Sequence, residues 1–104
     1  MMKYYKKNKR TNHDVLISHT KTGIRITLRN SVLEEFDRIT FAATENKLYF
    51  IYSPSGYIFR YSPNSVTNRY TALKSQYAFY FFRNFEGEFD LKYDIELDMY
   101  YIER

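Results

Sequence analysis

Ile24, Ile26 and Leu28 alternate strictly with Arg25, Thr27 and Arg29. This two-residue period constrains the fold more than any other feature, because only an extended strand sends successive side chains to opposite faces. One face must meet a core, while the other carries two arginines and a threonine outward. The same period returns after Gly87, where Phe89, Leu91 and Tyr93 alternate with Glu88, Asp90, Lys92 and Asp94. Residues 15–18, 39–44, 47–53 and 57–61 read as further strands, and residues 99–103 pair back as a closing hairpin. Glu45-Asn46, Pro54-Ser55-Gly56 and Ser62-Pro63 supply the turns.

Two segments read as helices. Asn30 or Ser31 caps residues 32–36, and Glu34 and Glu35 fall in the first turn, where the helix dipole favours acids. In residues 66–85, Val66, Tyr70, Leu73, Tyr77, Phe81 and Phe85 recur at helical spacing. Residues 77–82 are aromatic enough for a strand, but helix is favoured over most of the span. The expected fold is α+β: a mainly antiparallel sheet of about five to seven strands with one short and one longer helix.

A chain of 104 residues has room for one core. Residues 1–14 read as a basic N-terminal arm and residues 15–104 as a single α+β domain. Twelve tyrosines and nine phenylalanines supply much of the apolar area. A tyrosine hydroxyl needs a partner, so many rings belong at the rim of the core or at an interface. That surplus predicts a homodimer. The absence of cysteine excludes disulfides, thiolate zinc sites and cysteine nucleophiles, and fits a cytoplasmic setting. Residues 48–52 and 77–82 are the longest apolar runs, far short of the roughly 20 residues of a membrane span. No membrane partner is expected.

Charge is divided unevenly along the chain. Residues 1–85 hold 14 Lys/Arg against 5 Asp/Glu, and residues 86–104 hold 2 against 7. A basic body with an acidic tail points to a polyanion, most often nucleic acid. Phosphate contacts require only positive charge and reach. The candidates are Lys6, Lys7, Lys9 and Arg10 of the arm, with Lys21, Arg25 and Arg29 around the first clear strand. The competing reading is an ordinary solvated face. Tyr49, Phe50, Tyr52, Tyr57, Phe59 and Tyr61, with Lys47 and Arg60 beside them, form a second candidate, an aromatic sheet able to stack unpaired bases. Ordinary core packing with a dimer interface is the commoner explanation of such rings.

Nothing points to catalysis. Asp94, Glu96 and Asp98 stand at alternate positions, yet nothing nearby supplies a general base or an obvious lysine for a transition state, so they read as a solvated acidic hairpin. His13 and His19 do not have metal-site spacing. Gly23, Gly56 and Gly87 form neither a phosphate-cradling loop nor a nucleophile elbow. No enzyme activity, metal or cofactor is expected.

Gly23-Ile24-Arg25-Ile26-Thr27-Leu28, Val32-Leu33-Glu34-Glu35-Phe36 and the hairpin of residues 39–41 and 47–51 resemble the AbrB-type swapped-hairpin transcription-factor domain. The resemblance spans residues 15–53. It implies a strand, a short looped helix and two strands, with two chains exchanging hairpins. Arg25 would take the place of the family's DNA-contacting strand arginine, and Phe36 that of the apolar residue ending the helix. Arg29 stands where the family commonly has proline. Separately, the small size, the aromatic richness and the closing hairpin have the general look of a phage or plasmid protein. The expected function is therefore a small non-enzymatic, nucleic-acid-binding and transcription-regulating protein. The alternative is a protein-interaction module or phage-encoded inhibitor of a host protein, binding through the acidic C-terminal hairpin or the aromatic sheet.

Overall fold

A computed structural model describes residues 13–104, and the rest of the basic arm lies outside the described residues. The alternating segments become β1 (Val15–His19), β2 (Ile24–Leu28), β3 (Arg38–Ala43) and β4 (Lys47–Tyr52). They are followed by β5 (Tyr57–Ile58), β6 (Arg60–Tyr61), β7 (Arg69–Leu73), α1 (Gln76–Phe81), β8 (Gly87–Phe89), β9 (Lys92–Asp94) and β10 (Met99–Glu103). The strands form two five-stranded sheets, ordered β6-β7-β2-β1-β8 and β5-β3-β4-β10-β9, with every neighbouring pair antiparallel. Ile17, Ile26 and Leu28 of the first sheet and Ile39, Leu48, Phe50 and Ile102 of the second are each at most 1% exposed. They belong to one core cluster, and each such side chain contributes about 1.5–3 kcal/mol on burial.

The sheets are joined at both edges. β5 and β6 are consecutive pieces of chain separated only by the buried Phe59, yet they belong to different sheets. β8 and β9, separated by Asp90 and Leu91, do the same at the far edge. Strands that bend from one layer into the next make the corners of such sandwiches. A bend breaks the ladder and leaves backbone groups to be satisfied otherwise. Phe59 N–H donates to the Asp37 carbonyl at 3.2 Å, and Leu91 N–H donates to the buried Asp14 carboxylate at 3.0 Å.

The expectation of one sheet of five to seven strands is corrected to two sheets of five. Residues 57–61, and the alternating run after Gly87, each divide into two short strands at a corner. The predicted short helix at residues 32–36 is instead a run of turns. Asn30, Ser31 and Leu33 have φ of 59, 57 and 53°, the left-handed region that an α-helix excludes. Arg69, 5% exposed, holds this segment by donating to the carbonyls of Phe36 at 2.7 Å and Val32 at 3.3 Å, and to that of Leu33. The longer helix predicted within residues 66–85 shrinks to α1, preceded by β7. Ser75 caps α1 by accepting a hydrogen bond from Ala78 N–H at 3.1 Å. No helix among the described residues is long and apolar enough to cross a membrane.

Candidate nucleic-acid interface

The bent strand at the β5–β6 corner is too short to cover its neighbours. β5 pairs only with Arg38 and Ile39 of β3, and β6 only with Arg69 and Tyr70 of β7. Beyond those residues β3 and β7 have no strand between them, so the wall opens as a V. Gly56 sets the closed end. A Cβ there would lie 2.6 Å from the Ile39 carbonyl carbon, so only glycine lets the turn approach this closely.

Two clefts occupy the V. The one at the closed end, about 580 Å³, is lined by Arg38, Arg60, Tyr57 and Tyr70 among others. Toward the open end lies a cleft of about 450 Å³ between β3, the end of β7 and α1, where Lys74 stands among Phe41, Phe81 and Tyr77. Tyr57 and Ala72 line both. Among the described residues, no carboxylate lines either cleft. Arg60 lies directly across from Tyr70 in the ladder, and Arg25 joins them on the outer face with its guanidinium 3.9 Å from the Tyr70 ring centre. Stacking of this kind contributes about 0.5–2 kcal/mol and leaves the edge N–H donors of the guanidinium available.

The sequence candidates divide around this site. Arg25 belongs to it. Lys21 is exposed in the β1–β2 turn, whose Gly23 packs against Leu73 and Lys74. Arg29 stands about 13 Å from Arg25 along the strand direction and forms an ion pair with Glu88 at 2.8 Å, its side chain 15% exposed. Its charge is already met by a tail carboxylate. Lys6, Lys7, Lys9 and Arg10 lie outside the described residues. Among the described residues, Arg25, Arg38, Arg60 and Lys74 make no ion pair. Arg38 and Lys74 carried no local signal, since only the meeting of β3, β5 and β7 brings them together.

The proposed aromatic sheet does not exist as one surface. Phe50 and Phe59 are core residues, Tyr49 packs on Tyr101 with ring centres 5.7 Å apart, and β5 pairs with β3 rather than β4. Tyr52, Tyr57 and Tyr61 remain exposed. Asp94, Glu96 and Asp98 do not share a strand face, because residues 95–98 form a turn. Asp94 accepts a hydrogen bond from Leu97 N–H at 3.0 Å, and Asp98 accepts one from the Tyr93 hydroxyl. No group of three metal-ligating side chains gathers among the described residues.

Comparison with protein-family models, curated proteins and solved structures returns no match.

Proposed function

We propose that this protein is a non-enzymatic nucleic-acid-binding module whose phosphate contacts come from Arg25, Arg38, Arg60 and Lys74, with Lys21 beside them. The observation that carries this reading is the pair of clefts whose cations make no ion pair, and which no carboxylate lines, among the described residues. Unneutralised guanidinium groups beside tyrosines suit a polyanion carrying flat rings. The arm residues Lys6, Lys7, Lys9 and Arg10 add phosphate contacts in this reading. Arg29, paired with Glu88, does not. A role in transcription regulation, and the hairpin exchange of AbrB-type domains, belong to the same proposal.

Affinity for a labelled oligonucleotide, measured across a salt series, tests it. The logarithm of affinity should fall linearly with the logarithm of salt concentration. Arg38→Ala and Arg60→Ala should each reduce that slope by about one phosphate contact, whereas Arg29→Ala should leave it unchanged. Binding independent of salt, or equal effects of all three substitutions, would refute the proposal.

A second reading rests on the β9–β10 turn, where Ile95 is 83% and Leu97 52% exposed among Asp94, Glu96 and Asp98. Such an apolar tip in an acidic frame suits a basic protein partner, either a host protein or a second copy of this chain. Sedimentation of the isolated protein and of Ile95→Ser separates those two partners.

A further inference from the structure

We infer that the cleft under α1 receives a single unstacked base, so that the strand bound here is single-stranded. The inference rests on the nucleic-acid reading above and names the form of nucleic acid that this site takes. Its basis is a run of rings along the cleft wall. Tyr57 lies 6.1 Å from Phe41 and Phe41 5.3 Å from Phe82; Phe82 lies 4.8 Å from Phe81 and Phe81 6.1 Å from Tyr77, centre to centre. The two end members are exposed, Tyr57 by 48% and Tyr77 by 70%, while Phe82 is buried and anchors the run.

Thr40, Lys74, Ser75 and the tyrosine hydroxyls supply polar groups to the same lining. Lys74 is exposed beside α1, and the Thr40 hydroxyl makes no hydrogen bond among the described residues, leaving it able to meet a base edge. Apolar walls with a few convergent polar groups are the usual make-up of a small-ring site. The decisive feature is the shared wall. Tyr57 and Ala72 separate the ring-lined cleft from the arginine-lined one, so aromatic and cationic surfaces stand side by side. A nucleotide strand repeats a flat ring and an anion along its length, and its base can enter a side cleft only when unpaired. A duplex offers its phosphates but keeps its rings stacked inside.

Fluorescence anisotropy of labelled oligo-dT, of the dA·dT duplex and of an abasic sugar-phosphate strand tests this. Tyr77→Ala and Tyr57→Ala should each weaken oligo-dT binding about tenfold, and Tyr77→Ala, which lies outside the arginine-lined cleft, should leave duplex binding unchanged, with unaltered far-ultraviolet circular dichroism confirming the fold. The abasic strand should bind the native protein about as weakly as oligo-dT binds those variants. Equal affinity for oligo-dT and the abasic strand, or tyrosine variants that bind oligo-dT like the native protein, would overturn the base-in-cleft inference. If Arg60→Ala still weakens binding in that case, the phosphate-binding reading survives alone. Absence of binding to any of the three probes removes both.

Discussion

Arg69 shows how one side chain replaces regular structure. Its guanidinium is buried, no carboxylate meets it among the described residues, and it donates instead to carbonyls of three residues in the segment 32–36. Left-handed backbone stands at Ser31, just before that segment, and at Leu33 within it, conformations that persist only when their surroundings hold them. Arg69→Met would keep the apolar stem and leave the carbonyls without donors, a loss of about 3 kcal/mol. The expected result is a thermal midpoint lower by more than about 10 °C. Arg69→Lys should recover little, because an ammonium cannot span the same fan of acceptors. Tyr93 offers a pH-dependent counterpart. Its hydroxyl donates to Asp98, and that hydrogen bond, with the neighbouring negative charge, raises its pKa above the ordinary value. The contribution to stability is thus present at neutral pH and is lost as pH rises through the folded-state value. In a near-ultraviolet titration Tyr93 should ionise above the ordinary tyrosine value. Asp98 has left-handed backbone (φ 54°), which asparagine tolerates, so Asp98→Asn should bring the Tyr93 ionisation back down toward that value.

At the level of elements, Gly56 joins local sequence to the site. Gly56→Ala would drive a Cβ to within 2.6–2.9 Å of Ile39 backbone atoms, so β5 must move away from β3. Loss of amide-exchange protection at Ile39 and Tyr57, together with weaker oligonucleotide binding, is the expected outcome; unchanged protection would show that the turn relaxes without moving β5. The strands β1 to β4 were legible because apolar residues supply their period. β2 matches its expected bounds, and the other three lie within a residue or so of theirs. β7 was hidden for the opposite reason. Its buried residues are Arg69, Thr71 and Leu73, so two of the three inward positions are polar and the apolar pattern missed them. The helical spacing that competed with it began at Val66, which is 83% exposed. Residues 32–36 look helical by capping pattern, but the contact that shapes them comes from Arg69, more than thirty positions away. Arg25 was readable as an outward residue of β2; its assembly with Arg38 and Arg60 was not, since a corner between sheets leaves only a pair of two-residue strands as its trace.

Across the whole molecule, the charge division of the sequence becomes a division of edges. The cationic clefts lie at the β5–β6 corner, and Glu88, Asp90 and Asp94 lie on or beside β8 and β9 at the opposite edge of both sheets. Four strand spacings separate β5 from β9, about 19 Å within a sheet and well beyond the Debye length of about 8 Å at physiological salt. The field at the clefts is therefore set by the residues that line them rather than by the net charge of the chain. Two substitutions of equal net charge distinguish those cases. Arg60→Glu and Lys92→Glu each remove one cation and add one anion, but Lys92 lies on β9 beside Glu103. At physiological salt, Arg60→Glu should slow association with oligo-dT about tenfold or more, while Lys92→Glu should leave the rate within about twofold. At low salt the screening length grows past the width of the sheets, and the two variants should converge. Equal slowing at physiological salt would mean that the polyanion responds to total charge, and the β5–β6 corner would lose its claim as the binding edge.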